Sequence, residues 1–129
     1  MARVYLSRVN GQLDDYLLEA LTFLDWENLV PVNARVFFKP NLTYPTPKEG
    51  VTTTPEFIAS ILKVFAKRTP NLIVGESDGG YRGWQAELAF QTHQLPEICQ
   101  QYGAKLVNLS KEPKESVEIS VSNKVVKLY

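Results

Sequence analysis

Three stretches of this chain gather side chains capable of chemistry. Phe37-Phe38-Lys39-Pro40-Asn41-Leu42 ends an apolar run in an ammonium and an amide, Val51-Thr52-Thr53-Thr54-Pro55-Glu56 brings hydroxyls to a helix start, and Gly75-Glu76-Ser77-Asp78-Gly79-Gly80 sets carboxylates among glycines. Lys39 can neutralise a phosphate or carboxylate, with Asn41 supplying a directed amide. Thr52, Thr53 and Thr54 lie beside the free amides of a helix start, which accept an anion without further charge. The plainer reading is that Lys39 reaches to solvent, Asn41 caps a turn and Thr54 caps the helix.

Glu76 and Asp78, with Ser77 between them, suit a hard cation or a proton acceptor. Two carboxylates without a matching histidine leave most of a metal's shell to water or substrate, and a solvated turn accounts for the loop as well. Gly75, Gly79 and Gly80 lack the spacing of a dinucleotide fingerprint or a phosphate-binding P-loop. Gly79, Gly80 and Arg82, with Tyr81 and Trp84 beside them, could close over a planar or anionic ligand, whereas Trp84 alone reads as a core anchor. The candidate ligand residues are therefore Lys39, Asn41, Thr52, Thr53, Thr54, Ser77, Gly79, Gly80 and Arg82, with Glu76 and Asp78 as candidate metal ligands.

These residues need elements to position them. Val4 to Val9 reads as a first strand, and Leu13, Leu17, Ala20, Leu21 and Leu24 recur at helical spacing before Pro31 forbids continuation. Arg35 to Phe38 reads as a strand, and Thr54-Pro55-Glu56 opens a helix whose apolar face is Phe57, Ile58, Ile61, Leu62 and Phe65. Leu72-Ile73-Val74 reads as a buried parallel strand. A helix from near Trp84 carries Trp84, Leu88 and Phe90 inward, breaks near Pro96 and ends before Gly103. Lys105 to Leu109 is a further strand, and Val117–Val121 with Lys124–Leu128 reads as a hairpin turning at Ser122-Asn123.

Alternating strands and helices imply an α/β fold with three layers: a mostly parallel sheet, helices on both faces and a C-terminal β-hairpin. One domain over residues 1–129 is expected. Ligands in such sheets bind outside the carboxyl ends of the strands. Lys39 and Asp78 are therefore expected to face a common cleft, and Lys39→Ala to leave the fold nearly as stable.

Fourteen basic and fourteen acidic side chains cancel, without the basic patch of a nucleic-acid binder. No apolar run is long enough to span a membrane, and the start lacks a secretory h-region, so a cytoplasmic protein is expected. Cys99 is the only cysteine: this chain alone ligates no iron–sulfur cluster, and Cys99 reads as a small core residue. His93 reads as a helix-end or surface residue rather than a ligand.

The run Val36 to Leu42, the later Thr52-Thr53-Thr54-Pro55-Glu56, and Gly75-Glu76-Ser77 after an apolar strand together resemble the amino-terminal portion of the family called domain of unknown function 362 (DUF362). The resemblance implies an α/β protein of a kind often fused to, or encoded beside, ferredoxin-type modules. It also implies a distant similarity to the amino-terminal domain of nickel-dependent lactate racemases. Relatives usually continue beyond a hairpin such as the one ending near Tyr129, so a short or truncated relative is expected. Two readings of function stand. The chain binds a small anionic molecule at the carboxyl rim, in iron–sulfur or redox metabolism with a ferredoxin-type partner. Alternatively it is a non-enzymatic accessory domain that self-associates through the hairpin edge, whose apolar face needs a cover. The cofactor and the reaction stay open.

Overall fold

The computed structural model describes residues 3–79, 83–121 and 124–128. Its centre is a three-stranded parallel sheet of β1 (Val36–Phe38), β2 (Leu72–Glu76) and β3 (Lys105–Asn108), in that order. Phe38 lies opposite Val74, and Glu76 opposite Asn108. The polar residues that follow β1, end β2 and end β3 therefore share one rim, because parallel strands carry their carboxyl ends together.

α3 (Pro55–Ala66) crosses from β1 to β2, while α4 (Ala86–Thr92) and α5 (Leu95–Tyr102) cross from β2 to β3. α3 starts where local chemistry dictates: the Phe57 N–H donates to Thr54 Oγ1 at 3.2 Å and Pro55 takes the first helical position. A cap of this kind contributes about 1 kcal/mol. Ile58, Leu62 and Phe65 recur at helical spacing and are buried, and Phe65 meets Phe38 edge-on at 5.1 Å. Trp26, in the short α2 (Trp26–Leu29), also packs on Phe65, at 4.8 Å between ring centres. α5 ends at Gly103, whose φ of 69° suits a residue without a Cβ.

The α/β class and the parallel sheet match the expectation, and the helical cover is simpler than expected. α1 (Leu13–Phe23) packs on α3, α3 on α5, and α5 on α4, so the helices form one connected layer. Two right-handed crossovers that advance in the same direction deposit their helices on the same face. A second layer would require the strand order to reverse, and among the described residues it does not. On the opposite face the Phe37 ring lies across Gly75, where an added Cβ would sit 2.7 Å from Phe37 Cε2. Phe37 is left half-exposed.

Four further expectations need correction. Val4 to Val9 is not a strand, because no described residue pairs with it. Gly75 and Glu76 belong to β2 rather than to a loop, since β3 extends the ladder past Val74. α4 begins at Ala86, and its inward face is Ala86, Ala89 and Phe90, leaving Leu88 exposed. His93 stands at the end of α4, as the helix-end reading has it, but is fully buried rather than on the surface, with its Nδ1 2.9 Å from the Ala89 carbonyl.

β4 (Val117–Val121) and β5 (Lys124–Leu128) pair antiparallel in a separate two-stranded sheet, and the expected turn at 122–123 lies outside the described residues. No described helix is long and apolar enough to cross a membrane.

Candidate functional site

β1 and β2 are neighbours, so the Lys39 and Glu76–Asp78 segments meet at the rim. A cleft of about 150 Å³ opens there, lined by Lys39, Asn41, Leu42, Thr43, Glu76, Ser77, Asp78, Gly79 and Trp84. Lys39 and Asp78 do face common space. Gly80, Tyr81 and Arg82, expected to close over a ligand here, lie outside the described residues.

Lys39 Nζ donates to Glu76 Oε2 at 2.5 Å, with the lysine side chain 56% exposed and the glutamate side chain 9%. The other Glu76 oxygen accepts the Ser77 N–H at 2.8 Å and the Ser77 hydroxyl at 3.3 Å. Glu76 is thus a buried anion held by a cation and a backbone amide, which is what keeps a desolvated carboxylate tolerable. An ammonium has three donors, and the Glu76 bond uses one. The ammonium is otherwise half-exposed where it borders the cleft.

Asp78 does different work. Its Oδ1 accepts the Ala86 N–H at 2.8 Å and the Asn108 amide at 3.0 Å, so it satisfies an otherwise orphaned donor at the start of α4. The Asp78 N–H donates to Ser110 Oγ at 2.9 Å. Gly79 donates its N–H to the Trp84 carbonyl and lies against the indole, where an added Cβ would meet Cε2 at 2.9 Å. Trp84 packs against the core, so it anchors the segment that leads into α4. Glu76 and Asp78 are each committed to protein partners, and no group of three or more His, Cys, Asp or Glu among the described residues is placed to hold a metal ion.

The threonines divide. Thr52 is buried, accepting the Lys48 N–H at 2.8 Å and donating to the Lys48 carbonyl, which closes the Pro45–Val51 loop on itself. Thr53 Oγ1 accepts the Asn41 N–H at 2.9 Å, and the Asn41 amide donates to the Val51 carbonyl. Thr54 caps α3. These hydroxyls hold the rim loop to the helix start rather than lining the cleft. Thr53 instead borders a neighbouring apolar cavity of about 140 Å³ with Phe38, Phe57, Ile58 and Ile61.

Asn108, Ser110, Glu87 and Lys111 belong to the same rim and were not among the candidates. The signal was present: Asn108 and Ser110 follow the apolar Leu106-Val107 just as Lys39 and Asn41 follow Phe37-Phe38. The Asn108 amide reaches both Glu87 oxygens at 3.0 and 2.9 Å, and Lys111 Nζ lies 2.5 Å from Glu87 Oε1. These donors, the Lys111 ammonium foremost, lower the Glu87 pKa from 4.5 to about 2. A carboxyl whose folded pKa is depressed contributes stability above its unfolded pKa and loses it as the pH falls through the folded value. Glu87→Gln is therefore expected to flatten the acid limb of stability between about pH 4.5 and 2, and to leave the limb above pH 5 parallel to wild type. Urea midpoints across that range check it: an unchanged acid limb would mean that the Lys111–Glu87 contact does not form.

Cys99 is buried, and desolvation pushes its thiol up to about 11, far from the reactive thiolate range. It behaves as the core residue expected.

The model of the family described as domain of unknown function (DUF362) matches residues 36–129, beginning at β1 and taking in every residue of the cleft. No curated protein and no solved structure matches the chain.

Proposed function

We infer that this chain, which belongs to the DUF362 family, binds a small anionic molecule in the cleft between the carboxyl ends of β1 and β2. The observation that carries this reading is the Lys39 head. It is half-exposed, steered by buried Glu76 into a cleft that also presents Asn41, Thr43 and Ser77, and it keeps donors to spare. A carboxylate or phosphate approaching from the open side shares the ammonium with Glu76. A hydroxyl on the same ligand has Ser77 within the same space. In this reading the ligand is a small carboxylic or phosphorylated metabolite of redox metabolism, and any iron–sulfur cluster comes from a ferredoxin-type partner, because Cys99 alone cannot ligate one.

Thermal shift tests it. Phosphate, sulfate and small hydroxycarboxylates are expected to raise the melting temperature with the logarithm of their concentration, as for any ligand of the folded state alone. Lys39→Met with Glu76→Gln removes the charge pair together, and that protein should lose most of the increment. Equal increments in wild type and double variant would remove the cleft from consideration.

A second reading has its own support. β4 and β5 form a two-stranded sheet apart from the main one, with Val117 57% and Ile119 39% exposed, and an isolated hairpin is marginal in water. An accessory domain that associates through this edge would give it the cover it lacks. A protein inert to every anion but dimeric by light scattering favours this reading.

A further inference from the structure

The segment Arg3 to Val9 has the pattern of a strand and no sheet to join. It makes no backbone hydrogen bond with any described residue. Its side chains alternate: Tyr5 packs on Phe23 at 5.6 Å and Arg3 covers the same ring at 5.1 Å, while Val4 is 86% and Leu6 94% exposed. Unpaired amides with one apolar face turned to water are what a strand presents before pairing.

β4 is the matching half. β5 occupies one of its sides, the other is free among the described residues, and Val117 and Ile119 are exposed. We propose that Arg3 to Val9 of one copy adds, antiparallel, to the free edge of β4 in a second copy, with Val4 opposite Ile119, Leu6 opposite Val117 and Arg8 opposite Glu115. This deepens the hairpin-edge reading given above and is independent of the ligand cleft.

Charge fixes the register. Arg8 and Glu115 are both exposed, and neither has an ion-pair partner among the described residues. In the proposed alignment they meet on the same face as the apolar pairs. A shift of one residue throws the apolar side chains to opposite faces. A shift of two sets Arg8 against Val117 or Leu6 against Glu115. A parallel alignment of the apolar pairs sets Arg8 against Val121. Only the antiparallel register given satisfies both the charge and the two apolar pairs.

The partner is a second copy because of where the segment is held. Tyr5 is docked on Phe23 of α1, and the segment makes no backbone hydrogen bond with β4 of its own chain. Within one chain Tyr5 stays on Phe23 and this pairing is not made. Exchange between two copies leaves it in place and repeats the contact by symmetry, as a closed dimer requires.

Light scattering and a dilution series on the full chain test this. A dimer is expected, and Arg8→Glu should raise its dissociation constant about tenfold, because two symmetry-related pairs turn repulsive. Glu115→Arg should do the same, and the two changes together should restore the wild-type value. Mixing Val4→Cys chains with Ile119→Cys chains under oxidation should give a covalent pair, with buried Cys99 inert. A monomeric wild type overturns both this pairing and hairpin association. A dimer indifferent to Arg8→Glu that yields no cross-link overturns this pairing and leaves association through the hairpin standing. A disulfide closing within one chain of the Val4→Cys/Ile119→Cys protein, in place of the two-chain product, overturns the second copy as partner.

Discussion

Leu42→Ala is expected to cost about 2–5 kcal/mol of stability, the range for truncating a fully buried leucine. Leu42 is 1% exposed although it lies in irregular chain, between the rim residues Asn41 and Thr43. Its burial in the main core is what fixes a loop that otherwise depends on a reciprocal pair of hydrogen bonds between Asn41 and Thr53 and one from the Asn41 amide to Val51. Each such bond is worth about 0.5–1.5 kcal/mol net, so the leucine outweighs any one of them. Asn41→Ala should accordingly shift the urea midpoint less than Leu42→Ala. If the two shift it equally, or Leu42→Ala leaves it in place, the loop is not anchored through the core and the cleft it borders has no fixed wall.

Much of this architecture was legible because its causes are local. Thr54-Pro55-Glu56 sets the start of α3 through one hydroxyl, one fixed φ and one charge, all within three residues. The apolar runs at Phe37 and Leu72, each bounded by turns, gave neighbouring parallel strands, and the habit of such sheets to bind ligands at their carboxyl ends then brought Lys39 and Asp78 to one cleft. What was not legible depends on partners far away in the chain. Alternation in Val4 to Val9 specifies a strand's faces but cannot supply a neighbour, and among the described residues none is present. Glu76 read as a loop residue because Gly75 precedes it, yet pairing with Asn108 carries the strand through both. The threonine hydroxyls looked available to an anion because a sequence does not show that Lys48, Asn41 and Phe57 already use them.

The same blindness to distant partners reverses the expectation for Lys39→Ala. As an exposed lysine at a strand end it would contribute little to folding, and its removal would be silent. In the structure it lies 2.5 Å from a carboxylate 37 residues away that is itself buried. Removing one partner of a buried pair strands the other charge, a loss of 3–5 kcal/mol when both are enclosed. The lysine side chain here is 56% exposed, and Glu76 keeps the Ser77 N–H and hydroxyl, so water and those donors recover part of that. About 1–3 kcal/mol is the expected cost of Lys39→Ala. Glu76→Gln in the Lys39→Ala background removes the stranded charge and should regain most of it, so the two changes are not additive. Urea midpoints for the wild type, both single variants and the double variant decide the matter. A Lys39→Ala protein as stable as wild type, or single changes that simply sum, would mean that Glu76 is not held by Lys39 and that nothing steers the ammonium into the cleft.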